Sequence, residues 1–233
     1  MSEQNNDRDL GPKIDSRPAP RPKHVTLKGR AVTIAPLALE HAEPLFSASN
    51  GPGRDHLWTY LFNGPFNKLA EFAADIEAKS KASDTLYFAV LDNRDGRPVG
   101  YQSLMRIDPA NRVIEVGGVM YTPLLQATVG STEAQYLFAK YVFDDLGYRR
   151  YEWKCNDRNA PSRRAALRLG FTFEGVFRQH MIVKSRNRDT AWFSMLDHEW
   201  PARRAAFEAW LAPGNFDGGG KQKRRLQDIA AAL

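Results

Sequence analysis

Between Leu124 and Phe171, two polar turns each feed the start of a helix on either side of one short strand. Their residues suit anion binding. The first amides of a helix have no partner inside it, and the macrodipole adds partial positive charge there, so a helix start holds phosphate or carboxylate. In the first turn Gly130 and Ser131 stand where a cap belongs, with Glu133 beside the positive end. In the second, Asn156, Asp157, Arg158 and Asn159 lead to Pro161 near a helix start, and Gly170 lies past its end. A ligand with several phosphates and a long thin arm fits such a pair of turns. Ser162 offers a hydroxyl near the second start, and the only thiol, Cys155, lies on the strand between. No His, Cys and Asp cluster has the spacing of a metal site.

These turns need elements to hold them. Ala134, Leu137, Phe138, Tyr141 and Val142 recur at helical intervals, leaving Lys140, Asp144 and Asp145 outside, and Gly147 closes that helix. Tyr151, Trp153 and Cys155 alternate with Glu152 and Lys154, which predicts a strand. Upstream, Leu86 to Leu91, Pro98 to Ile107 and Val113 to Tyr121 are three strands joined by short turns, an antiparallel meander. Ahead of it come a strand over Ala31 to Ile34 and two helices, one with Leu39, Ala42, Leu45 and Phe46, the other with Leu69, Phe72, Ala73 and Ile76. Thr172 to Val183 and Thr190 to Leu196 form a last hairpin through the charged turn 184–189, and Phe207, Trp210 and Leu211 mark a final helix. The order β-α-α-β-β-β-α-β-α-β-β-α is α+β with a mixed sheet.

The 233 residues suffice for one domain over 25–212 plus two tails. Residues 1–24, with Pro18, Pro20 and Pro22 alternating, predict an extended disordered leader; the glycine run and KQKRR beyond Pro213 predict a flexible basic tail at 213–233. The formal charge of +6 rests partly on these tails. It permits attraction to nucleic acid or ribosomes without selecting them, and a solvated basic surface is the simpler reading. No apolar run reaches the length of a membrane span and the polar start lacks a secretory signal, so a soluble cytoplasmic protein is expected. A single cysteine excludes an internal disulfide.

The pattern Asn159-x-x-Ser162, Arg163-Arg164 through Leu169-Gly170-Phe171, then Glu174-Gly175, Asp189-Thr190 and Glu199-Trp200, resembles the GCN5-related N-acetyltransferases, within them the RimJ/RimL-type branch that acetylates protein N-termini. The resemblance runs from about Ala31 to Leu211. It implies a mostly antiparallel seven-stranded sheet splayed between the fourth and fifth strands and flanked by helices. The splay would offer amides around Val116 to Tyr121, Val119 and Tyr121 included, to the pantetheine arm of acetyl-CoA as co-substrate. Gln126, Val129, Gly130, Ser131 and Thr132 would hold its diphosphate. The family loop has glycine or alanine where this chain has Val129 and Ser131. Val129 still offers an amide, but its side chain limits positive φ, so a weaker or differently posed grip is expected.

By the same resemblance Asn159 would bond the pantetheine amides, or simply cap its helix. Ser162 would face the coenzyme sulfur and protonate or solvate the thiolate, and Arg163, Arg164 and Arg168 would meet the 3′-phosphate or form an exposed basic face. Attack on a thioester needs a neutral amine, stabilised oxyanion charge and a proton for the leaving thiolate. A protein α-amine, with a reference pKa of about 7.7–8.0 against about 10.4 for lysine, loses its proton at pH 7 at a cost of about 1 kcal/mol rather than roughly 4.6. The branch's strand glutamate falls at Met181, beside His180. His180 and Glu115 are therefore rival bases, with Glu152 a third. Strand alternation keeps His180 and Met181 from facing the cleft together. Trp58, Tyr60 and Phe66, in a loop between the first two helices, are candidates for the acceptor side, as a lid or as core. The expected activity is transfer of an acetyl group to a primary amine, a protein N-terminus or a small amine, by direct attack in a ternary complex. A non-catalytic module binding coenzyme A, a ribosome or nucleic acid is the alternative, and a homodimer stays open.

Overall fold

A computed structural model describes residues 11–233. The first ten residues of the expected leader lie outside this range. Eight strands form one sheet in the order β1-β2-β3-β4-β5-β6-β8-β7. They are β1 Leu27–Lys28, β2 Val32–Pro36, β3 Leu86–Asp92, β4 Pro98–Asp108, β5 Val113–Tyr121, β6 Arg150–Asn156, β7 Thr172–Val183 and β8 Arg186–Leu196. The helices are α1 Ala42–Ser49, α2 Leu69–Ser80, α3 Val129–Lys140, α4 Ala160–Arg168, α5 Trp200–Leu211 and α6 Leu226–Ala230. Every neighbouring pair is antiparallel except β5 with β6. The strand beyond the seven expected is the two-residue β1.

Strand alternation divides the interior into two cores. On β3, Phe88 and Val90 face a core shared with Phe138 of α3 and Phe207 of α5. Ala89 faces a second core with Leu45 of α1, Phe72 and Ile76 of α2, and Trp58. Burying one such large side chain contributes about 1.5–3 kcal/mol, so the two layers together fix the sheet between its helices.

The sheet parts where β5 and β6 meet. Their parallel pairing runs from Val113 opposite Arg150 to Val116 opposite Trp153 and ends there. β5 stays with β4 as far as Tyr121, while β6 stays with β8 as far as Asn156. The divergence begins at Gly117 and Gly118; Gly118 has φ 56° and the β4–β5 register shifts between Tyr101 and Ser103. A bulge of this kind bends a strand and increases its twist, which carries β5 away from β6.

Several boundaries differ from the sequence expectation. Thr128, not Gly130 or Ser131, caps α3, its Oγ1 accepting from Ser131 N. Glu133 is only 4% exposed and accepts from the backbone N–H groups of Arg30, Ala31 and Val32 at 2.6–2.9 Å, pinning α3 to the start of β2. The β7–β8 turn has two residues, Lys184 and Ser185, both at positive φ, rather than six; that conformation matches the strand twist and lets pairing continue to Val183 and Arg186.

The segments expected to be a disordered leader and a flexible tail both make contacts. Ala19 is buried and donates to Pro109 O, and His24 sets its ring edge-on against Phe88. At the other end Leu226 and Ile229 of α6 enter the first core, and Trp210 Nε1 donates to Gln222 Oε1 at 2.7 Å. Composition reports the polar majority of these segments; the few apolar residues that reach the first core, Ala19, Leu226 and Ile229, decide their placement.

Candidate active site

The start of α3 stands at the open end of β5. Gly130 lies so close to β2 that a Cβ would come within 2.7 Å of Val32 Cγ1, which explains glycine there without invoking positive φ. Val129 opens the helix outside the positive-φ region, so its side chain causes no backbone strain; the left-handed residue of this turn is Ala127, at φ 58°. Gln126 Nε2 donates to Tyr121 O at 2.8 Å, tying the turn to the last residue of β5. Tyr121, Gln102 and Gln135 form a buried polar trio behind it, and burial pushes the Tyr121 phenol well above its usual range. Val119 packs against the first core. Thr132 is buried, its Oγ1 accepting from Arg168 Nη1 at 3.0 Å, so that hydroxyl binds α4 to α3 and is turned away from the mouth.

The start of α4 follows the free end of β6, on the other strand of the splay. Asn159 caps it, Oδ1 accepting from Ser162 N at 3.2 Å, and Nδ2 has no partner among the described residues. Ser162 Oγ accepts from Trp153 Nε1 at 3.0 Å. Its hydroxyl lies beside the buried Cys155: burial pushes that thiol up while Ser162 opposes the shift, and the O–H rotates about Cβ–Oγ between this sulfur and the cleft. Arg163 pairs with Asp157 and lies 5.1 Å over the Phe173 ring, Arg168 covers the Trp210 ring, and Arg164 is exposed. Of the three, only Arg164 has no ion-pair or ring partner among the described residues.

Behind the splay, on the face opposite the first core, a chain of charges crosses the strands. Lys154 Nζ lies 2.9 Å from Glu115 Oε2, 2.7 Å from Glu152 Oε2 and 3.7 Å from the centroid of the Trp192 ring, and all three charged side chains are less than a tenth exposed. The parallel register sets Glu115 opposite Glu152. Burial pushes the Glu115 carboxyl above its usual range against the pull of Lys154 and Arg106. Burial also lifts Glu152, but bonds from Lys154 and Arg150 outweigh it and hold that carboxyl down. Both cationic contacts of Glu115 fall on Oε2, so Oε1 is the oxygen left for a water or a substrate. His180 stands on the same face, Nδ1 at 3.0 Å from Thr190 Oγ1 and its ring 5.9 Å from that of Trp192.

The loop between α1 and α2 closes this face. Tyr60 OH donates to Arg158 O at 2.9 Å, bridging to the turn before α4, and Lys184 Nζ at the hairpin tip donates to the carbonyls of Trp58 and Gly64. Trp58 itself is 1% exposed, packs on Phe66 and Phe72, and spends its indole N–H on Ser49 O; it is core, with no surface for an acceptor. Phe66 packs in the same cluster. Tyr60 and the exposed Phe62 are the loop aromatics placed toward the cleft.

A family model described as "Acetyltransferase (GNAT) domain" matches residues 31–172. The chain belongs to the GNAT acetyltransferase family. A crystal structure of a GCN5-related N-acetyltransferase from Brucella melitensis superposes with a TM-score of 0.91 at 52% sequence identity, covering 93% of this chain and 99% of that one. The Microcin C7 self immunity acetyltransferase MccE, whose structure is a complex with acetyl-CoA and AMP, shares the fold at a TM-score of 0.63 and 23% identity, covering 72% of this chain and 93% of that one. The Bacillus subtilis (strain 168) protein named "Putative ribosomal N-acetyltransferase YdaF" is 27% identical over 110 residues, 47% of this chain; the match spans 60% of that relative's length.

On the GNAT fold, the residues singled out from sequence separate into groups. Gln126, Val129, Gly130 and Ser131 gather at one helix start and Asn159, Ser162 and Arg163 at the other, while Glu115 and His180 share the face behind them through Trp192. Lys154, Arg188 and Trp192 were missed. Their signal was present: Arg188, Thr190, Trp192 and Ser194 share one parity of β8, and Glu152 and Lys154 share one parity of β6. Among the described residues no helix is long and apolar enough to cross a membrane, and no group of three His, Cys, Asp or Glu residues could hold a metal.

Proposed function

We propose that this chain is an acetyl-CoA-dependent N-acetyltransferase of the RimJ/RimL type that modifies a primary amine by direct attack in a ternary complex. The observation that carries the reading is the parting of β5 from β6 at Val116 and Trp153, each parted strand leading to a helix whose start is capped by a side chain. The residues present fit the co-substrate. The opening amides of α3, with the Gln126–Tyr121 tie behind them, form the phosphate cradle; the free edge of β5 over Gly117 to Tyr121 and the Asn159 Nδ2 meet the amides of the arm. Arg164, exposed and without an ion-pair partner among the described residues, is the arginine we assign to the remaining phosphate.

Acetyl-CoA supplies the thioester acyl group and the thiol leaving group. Ser162, whose oxygen already accepts from Trp153, donates its proton toward that sulfur. His180 holds Nδ1 against Thr190, so Nε2 is the nitrogen available to take the amine proton, with Glu115 Oε1 a second route through water. An α-amine asks little of either base at neutral pH. The likeness to the protein named "Putative ribosomal N-acetyltransferase YdaF" supports an amine of a ribosomal protein as the acceptor.

Calorimetric titration with acetyl-CoA, paired with thiol release over a panel of peptides and small amines, tests the reading. Saturable binding with amine-dependent thiol release is expected. Binding with no turnover on any amine would instead indicate a coenzyme A-binding module.

A further inference from the structure

Arg188 of β8 is 8% exposed, yet it has no carboxylate partner among the described residues. Its recorded contacts are a donation from Nε to Thr190 Oγ1 at 3.3 Å and the Phe62 ring, whose centroid lies 5.3 Å from Cζ. Neither neutralises it. Nη1 and Nη2, the donors that a guanidinium uses as a fork for carboxylate or phosphate, bond to nothing in the described chain. Its contacts place it between β8 and the lid loop; burial lowers its pKa, while the charges of Cys155 and Glu115, neither in contact with it, oppose the shift. The contrast with its neighbours is direct: Lys154, equally buried, has two carboxylates, and Arg150 has Glu152 and Glu174. A largely buried guanidinium with no carboxylate in contact is costly, and its free Nη1 and Nη2 are not sealed from solvent, so they stay open to a ligand. The phosphate-binding helix starts do not account for it either, since its contacts are with His180's partner Thr190 and the lid aromatic Phe62.

We infer that Arg188 is the anion receptor of the acceptor subsite: the amine that this enzyme acetylates carries a carboxylate or phosphate, which docks on the guanidinium fork under Phe62. This rests on the transferase reading and names its substrate class. The geometry also orients the acceptor, because an anion held at Arg188 places the rest of the molecule along the His180–Trp192 wall.

The test uses matched pairs: the C-terminally amidated dipeptides Asp-Ala-NH2 against Asn-Ala-NH2 for carboxylate, O-phosphoethanolamine against ethanolamine for phosphate, each assayed by thiol release with wild type, Arg188→Gln and Arg188→Lys. Wild type should favour the anionic member of at least one pair by about tenfold or more in kcat/KM, the size of one charge-assisted hydrogen bond. Arg188→Gln should bring that ratio to within about twofold, and Arg188→Lys should keep part of it, while Arg94→Gln on the distant surface leaves it unchanged. Which pair shows the preference distinguishes the two anions. A wild-type ratio near one for both pairs, or a ratio that survives Arg188→Gln in protein with a wild-type melting profile, overturns the inference. Calorimetric binding of the same compounds is run alongside. Should no amine be acetylated, the transferase reading falls and binding decides Arg188: loss of anion binding in Arg188→Gln upholds its role, and absence of anion binding in wild type refutes it.

Discussion

On the side of β5, β6 and β8 turned toward α3 and α5 lie Ile114, Val116, Tyr151, Trp153, Ala191, Phe193 and Met195. One residue along each strand, the other side carries Glu115, Glu152, Lys154, Thr190, Trp192 and Ser194. The first side is held by non-directional burial, which tolerates hydrophobic exchange if volume is kept. The second depends on pairing, because Glu115, Glu152 and Lys154 are each held there by the opposite charges beside them. The cleft chemistry sits on the second side, where removing one atom changes charge as well as shape.

The largest expected effects test this contrast head-on. Phe193→Ala should cost about 3–5 kcal/mol, by the cavity it leaves, at every pH. Lys154→Met should cost up to a similar amount, about 3 kcal/mol at pH 7, by leaving the buried Glu115 with only the longer Arg106 contact, and this cost should shrink toward pH 4 as that carboxyl protonates. Urea denaturation from pH 4 to 8 separates them; parallel profiles for the two variants would show that the second side is held like the first.

Ser162→Ala should lower kcat about a hundredfold while leaving acetyl-CoA affinity within about twofold, measured by thiol release and calorimetry. Unchanged turnover would leave Ser162 as the cap-turn residue bonded to Trp153 and nothing more.

Smaller and opposite pH effects are expected at the two ends of the charge chain. The Arg150 guanidinium, with Ser194, holds Glu174 below the usual carboxylate range, so its stabilisation is present above the unfolded value of about 4.5 and is lost as pH falls. Burial raises Glu115, so its contribution to stability declines as pH rises from about 4.5 through its folded value. Glu174→Gln should therefore flatten the acid limb of the stability profile, whereas Glu115→Gln should remove a decline on the alkaline side of it. Identical profiles for the two variants would contradict the assigned directions. The smallest change is expected outside both faces: Ala127→Gly relieves left-handed strain at φ 58° but frees the unfolded chain, for a net shift under about 1 kcal/mol in thermal melting.

Much of the fold was legible because it is local. Periodicity placed the meander, α3, β6 and the β7–β8 hairpin, and Asn159 with Pro161 marked the start of α4. The cap of α3 was misplaced because Gly130 is a glycine for packing on Val32, and sequence alone does not separate close approach from turn geometry. Trp58 stayed open between lid and core because a loop carries it, and its side chain turns inward to Phe72. The two ends were read as tails because composition averages over Leu226 and Ile229.

The sequence by itself determined which residues alternate, where helices start, and that a charged set would share one side of the late strands, since these follow from backbone periods of 2 and 3.6. Only the tertiary structure decided which charges meet. The parallel register of β5 on β6 brings Glu115, Glu152 and Lys154 together across 39 positions of chain, and the lid loop covers Arg188 without supplying it a counter-ion. Pairing between distant strands depends on the summed burial of both cores, a quantity that no local stretch of residues contains.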